Sequence, residues 1–221
     1  MWATPLDLYC ERLDPSFWAE PVNALTNVAF FIAAWAAFRL WRRDGHGDRA
    51  ILALILVVVA VGLGSFAFHT LATRGAMLLD VAPIGVFICG YVLLALRRFL
   101  ALSWPLTLGV FAGFIALSLG LAVAVPRTVL DGSTGYFPAL AVLFAIGWPQ
   151  RGRVLGRALL LAGVLFAASI ALRIGDLPLC GGFPFGTHFL WHILNAAVIY
   201  TVLYGAIGER QDRISAPTAA C

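Results

Sequence analysis

The chain alternates between long apolar runs and short polar breaks. Seven runs, at residues 24–41, 50–69, 77–96, 101–125, 136–149, 155–173 and 187–207, are predicted to form membrane-crossing helices. A helix of about 20 apolar residues spans the hydrocarbon layer of a bilayer. The breaks carry turn formers, as in Asp44-Gly45-His46-Gly47 and Asp131-Gly132-Ser133. No repeat, low-complexity tract or long linker divides the chain. Residues 1–221 therefore read as one all-α domain, a polytopic seven-helix membrane bundle.

Composition narrows the class further. Of the 221 residues, 62% are hydrophobic and 12% charged, and the mean hydropathy is +0.92. A soluble domain carries about 25% charged residues, because it must clothe its core in polar surface. The pattern excludes a soluble enzyme and a disordered chain. No basic run is interleaved with aromatics, so no nucleic-acid partner is expected.

The net charge of +4 rests on 15 Arg and no Lys. In membrane proteins basic residues collect in cytoplasmic loops. With the N-terminus outside, Arg39, Arg42, Arg43, Arg49, Arg97, Arg98, Arg151, Arg153, Arg157, Arg210 and Arg213 fall inside. Only Arg12, Arg74, Arg127 and Arg173 fall outside. The bias predicts an outside N-terminus and a cytoplasmic C-terminus. It also requires the short fifth run to cross, since otherwise Arg151, Arg153 and Arg157 change sides. The Arg- and Ala-rich usage matches a high-GC bacterial genome, which places the chain in an inner membrane. Residues 1–23 are polar and acidic, without the apolar stretch of a cleavable signal.

Against this background the polar residues inside the runs are informative, because charge in hydrocarbon is expensive and usually functional. Of four His, His46 lies in a cytoplasmic loop and reads as solvated. His69 closes the second run, and His188 and His192 open the seventh. Helix direction puts all three near the outer face, where Asp80 opens the third run. His188 and His192 are spaced i, i+4, on one helix face. Two such imidazoles and a third from another helix suit a three-His zinc site with an open position, the arrangement of catalytic zinc. Asp80 is a candidate base and proton shuttle. Ser65, one turn before His69, is a candidate hydrogen-bond donor at the same site. The plainer readings are packed histidines, and a serine bonded to its own helix or easing helix approach.

A second polar group comprises Asp7, Glu11, Asp14 and Glu20, followed by Asn23 and Asn27. Oxygen clusters suit hard cations such as Ca²⁺. The alternative is a solvated acidic segment with Asn residues tying helices together. Cys10 and Cys180 share the outer side, where disulfides are permitted. A bridge between them would tie the N-terminal segment to the loop before the seventh helix. Cys89 reads as a small apolar residue, and Cys221 as a cytoplasmic thiol.

Tyr9-Cys10-Glu11, Glu20-Pro21-Val22-Asn23-Ala24-Leu25-Thr26-Asn27, Ser65-x-x-x-His69, Asp80 and His188-x-x-Trp191-His192 together resemble the alkaline ceramidases. Those belong to a wider superfamily of seven-helix membrane hydrolases that includes the adiponectin and progestin receptor-like proteins. The resemblance implies a zinc amidase that cleaves the N-acyl bond of ceramide, a membrane lipid substrate. It implies zinc ligands at His69, His188 and His192, with Ser65 and Asp80 beside them. It also implies a Cys10–Cys180 disulfide and a Ca²⁺ site that includes Glu11 and Glu20. The N-terminal segment departs from the family pattern. Leu8 stands where an aspartate is expected, an asparagine expected shortly after Glu11 is missing, and the stretch between Cys10 and Glu20 is shortened. The competing reading on the same scaffold is a non-enzymatic receptor or sensor with a structural metal. A transporter fits less well, because the bilayer midplane carries no charged residue.

Overall fold

The computed structural model describes residues 2–126 and 128–215. Arg127 and Cys221 lie outside the described residues, as do the side chains of Arg210 and Arg213. The fold is helical throughout: α1 Pro21–Thr26, α2 Val28–Asp44, α3 Arg49–Leu71, α4 Arg74–Arg98, α5 Trp104–Ala124, α6 Phe137–Gly147, α7 Val154–Leu179 and α8 His188–Ser215. Among the described residues seven helical segments are long and apolar enough to cross a membrane, α1 and α2 counting together. The protein is thus an integral, multi-pass membrane protein.

The helices outrun the apolar runs at several ends because capping lies outside hydropathy. Asp48 accepts from the Ile51 amide at the start of α3, and Thr73 accepts from Ala76 at the start of α4. Asp80 therefore sits in the second turn of α4, and does not open it. The fifth crossing explains its own shortness. A 3₁₀ segment, Leu130–Tyr136, precedes α6 and turns sharply at Asp131 and Gly132, whose φ values are 48° and 65°. Its polar groups are satisfied internally: Thr134 donates to the Leu121 carbonyl at 3.1 Å, and Arg173 donates to Ser133 Oγ at 2.7 Å.

The apolar core draws on α2, α3, α4, α6, α7 and α8, with α3 packed along α4 and α7 along α8. α5 is peripheral, and Thr107 is its one buried residue. The two ends of the bundle differ in chemistry. One end holds the loops around Asp48, Arg98 and Arg153, where Arg98 pairs with Asp48 at 2.5 Å. The other holds the N-terminal segment, which hydrogen-bonds across the α3–α4 turn: Leu6 donates to Ala72 at 2.7 Å and Arg74 to Thr4 at 3.1 Å. The three intramembrane histidines lie at this second end.

Candidate metal centre

His69 comes from the last turn of α3, and His188 and His192 from the first two turns of α8. The ring centroids are separated by 5.1 Å (His69–His188), 4.7 Å (His69–His192) and 4.8 Å (His188–His192). One nitrogen from each ring falls within 4.8 Å of the others. All three side chains are buried. His69 Nε2, His188 Nδ1 and His192 Nε2 have no protein hydrogen-bond partner. Buried polar atoms in folded proteins are nearly always paired, so three orphaned nitrogens converging on one point fit a metal ion.

The opposite ring nitrogens support this. His69 Nδ1 lies 2.6 Å from Glu20 Oε2. His192 Nδ1 lies 3.0 Å from Thr26 Oγ1, a hydroxyl that donates to the Val22 carbonyl and so accepts from the ring. Both contacts put the proton on Nδ1 and leave a lone pair on Nε2, as metal-ligating histidines require. Burial alone would raise the Glu20 carboxyl, but the His69 ring and the Arg12 guanidinium beside it hold it below the usual carboxylate range.

Further anchoring comes from residues that the sequence does not mark. Asp176, fully buried near the end of α7, accepts from the backbone amides of Cys10 (3.0 Å), Thr187 (2.7 Å) and His188 (2.8 Å). It caps the start of α8 with a carboxylate borrowed from another helix, and so fixes His188. Gly186, at φ +63°, leaves room for this: a Cβ there would run into Asp176 and Cys10. Cys10 and Cys180 form a disulfide with a Cα–Cα distance of 5.4 Å. Cys89 is a free cysteine, partly buried. The bridge holds Tyr9 against the centre, where its ring stacks on His188 at 3.7 Å. Burial pushes the Tyr9 hydroxyl up, so it stays protonated. Asp176 carries no helix periodicity or motif of its own. Its only sequence signal is an acidic residue near the end of an apolar run, and Thr187, which the sequence offers as the cap of α8, turns its hydroxyl to the Leu172 carbonyl.

Asp80 and Ser65 meet at the α3–α4 contact. Gly64 lets the helices approach, since a Cβ would strike the Leu79 carbonyl. The Ser65 hydroxyl lies beside the Asp80 carboxylate, and Asp80 Oδ1 is buried without a protein partner. Asp80 lines a cavity of about 460 Å³ between α4, α5 and the 3₁₀ segment, together with Tyr9, Tyr136, Arg173 and apolar residues such as Ile84 and Phe114. Glu11 lies apart from the histidines. Its two oxygens accept from the Val22 and Asn23 amides at 2.6 and 2.8 Å, at the start of α1.

A family model, Ceramidase, matches residues 9–148. The match includes Tyr9-Cys10-Glu11, Glu20, Ser65, His69 and Asp80 and stops before α8, whose two histidines the fold delivers to the same point. No curated protein matches the chain. With well over half of its length matched, the chain belongs to the ceramidase family.

Proposed function

We propose that the protein is a zinc-dependent ceramidase, an amide hydrolase that releases a fatty acid and a sphingoid base from ceramide or a related N-acyl lipid, with residues 1–221 acting as one unit. The observation that carries this reading is the set of three orphaned imidazole nitrogens, together with Asp80, whose own oxygen is unpartnered and which lines a largely apolar cavity. His69, His188 and His192 would hold the ion. Zinc supplies Lewis acidity toward an amide carbonyl and lowers the pKa of a coordinated water. The chain's own groups do the rest. Asp80 accepts the proton of the attacking water on Oδ1 and returns it to the departing amine nitrogen. Ser65 holds the other side of that carboxylate in register. In this reading its hydroxyl serves Asp80 ahead of the substrate oxygen. Glu20 and Thr26 keep two rings in the ligating tautomer.

The cavity supports a lipid substrate. It is bounded by α5, the least buried helix, so an acyl chain reaches Asp80 from the side, within the bilayer. The Arg-rich end of the bundle belongs in the cytoplasm by the positive-inside rule. That puts the N-terminus, the disulfide and the metal centre on the periplasmic side of a bacterial inner membrane. A disulfide is at home there. A receptor on this scaffold leaves the Asp80 oxygen idle, whereas hydrolysis uses it.

Fatty-acid release from N-acyl sphingoid lipids in mixed micelles tests the reading. Release is expected from the native protein. It should be lost on chelation, restored by zinc, and absent in His188→Ala. Equal release by native protein and variant overturns it.

A further inference from the structure

The family resemblance implies a calcium ion at the N-terminal acidic group, and the residues present do not fit one. Arg12, with a side chain only 5% exposed, extends its guanidinium into the place where oxygens converge. Nε donates to Glu20 Oε1 at 2.5 Å, Nη1 to the carbonyls of Asp14 at 3.1 Å and Ser16 at 3.4 Å, and Nη2 to the His69 carbonyl at 3.1 Å. Four oxygens thus already surround a positive charge that is covalently part of the chain. A calcium ion takes six to eight oxygens at about 2.3–2.6 Å, and the buried carboxylates that remain are committed, leaving only the neutral amide oxygens of Asn23 and Asn27 without a partner. Both Glu11 oxygens bond backbone amides of α1. The second Glu20 oxygen faces His69. Leu8 supplies no ligand and packs against the Tyr9–Phe68–Ala76 cluster. Leu13 points outward, 90% exposed.

We infer that Arg12 is a built-in cation that replaces calcium, and that it is a positioning residue for the metal centre. Arg12 pins Glu20 by one oxygen, and the other oxygen of the same carboxylate holds His69 Nδ1. The Arg12 contact to the His69 carbonyl fixes the same residue from its backbone. A planar guanidinium with five donors serves several oxygens in fixed directions. A calcium ion would have to displace it and leave a second positive charge close by. The protein therefore needs no calcium, and its N-terminal segment is locked by its own side chain. The positioning role rests on the metal centre proposed above, whereas the calcium claim does not.

The test uses the full chain in detergent, freed of metal and reloaded with zinc. Equilibrium binding of radioactive calcium and thermal unfolding with added CaCl₂ come first. No saturable binding below about 1 mM, and no rise in midpoint, is expected, since a ligand stabilises only the state that binds it. Stoichiometric calcium binding, or a midpoint that climbs with calcium, overturns the substitution. Zinc release into a chromogenic chelator comes second. Arg12→Met should release zinc at least tenfold faster than the native protein, and Arg12→Lys, which keeps the charge but not the fork, at an intermediate rate. Should Arg12→Met fail to fold, Arg12→Lys still reads the effect. Native release rates in the folded variants overturn the positioning role. Neither measurement uses ceramide, so a failure here is distinct from a failure of the amidase reading.

Discussion

Two buried polar clusters sit side by side at one end of the bundle, and they are finished in opposite ways. At the histidine cluster, three nitrogens and one Asp80 oxygen end without a protein partner. At the N-terminal cluster, Glu11 and Glu20 are bonded by amides, an imidazole and a guanidinium. A cluster with converging unmet lone pairs on rings and a carboxylate asks for something from outside, whereas one whose buried carboxylates are closed by its own cation and amides leaves only the neutral oxygens of Asn23 and Asn27 unmet. Residue type alone does not separate the two, because acidic side chains are the usual calcium ligands. What separates them is the inventory of filled and unfilled lone pairs. Glu20 joins the clusters, one oxygen on Arg12 and the other on His69.

The comparison breaks most visibly through chemistry. Asp80→Asn should lower fatty-acid release about 10²–10⁴-fold, the usual worth of a general base, while zinc content by metal analysis stays near one per chain. If zinc is lost as well, Asp80 belongs to the ion and not to the proton. Next in size is the scaffold behind His188. Asp176→Asn weakens three buried charge-assisted bonds, each worth about 1.5–3 kcal/mol. A loss of roughly 3 kcal/mol is therefore expected, read as a lower unfolding midpoint together with faster zinc loss. An unchanged midpoint would show that α8 is held by packing alone.

The disulfide contributes on a similar or smaller scale. Cys10→Ser should cost about 2–4 kcal/mol, the typical range for a bridge closing a long loop, and reductant should reproduce it in the native protein but not in the variant. The smallest effect concerns the residue shared by both clusters. Glu20→Gln keeps the shape but weakens the acceptor for His69 Nδ1, and zinc affinity should fall about 10–100-fold, as for other outer partners of metal-bound histidines. Competition with a chelator measures it. A larger drop on Glu11→Gln than on Glu20→Gln would reverse the roles assigned here.

Much of this was legible in the chain. Helix length, apolar content and Arg asymmetry are local quantities, so seven crossings emerge from counting. The depth of His69, His188, His192 and Asp80 follows once helix directions alternate, because depth depends only on position along each helix. Some expectations were too coarse. Hydropathy missed the polar first turns of α4 and the 3₁₀ start of the fifth crossing, since capping and a change of helical pitch leave apolar content untouched. Glu11 and Glu20 looked equivalent as acidic residues, yet one caps α1 and the other faces the His69 ring. Arg12 looked like an outer-loop charge, and its insertion between four oxygens has no counterpart in spacing.

The sequence by itself determined a helical membrane bundle with three imidazoles and a carboxylate at a common depth, because periodicity and hydropathy act along one chain segment at a time. Only the tertiary structure decided which nitrogens are left without partners, that Asp176 caps a helix that begins twelve residues later, and that a guanidinium already sits among the oxygens of the N-terminal cluster. Those facts depend on which helices are neighbours and how each rotates about its axis, and packing sets both.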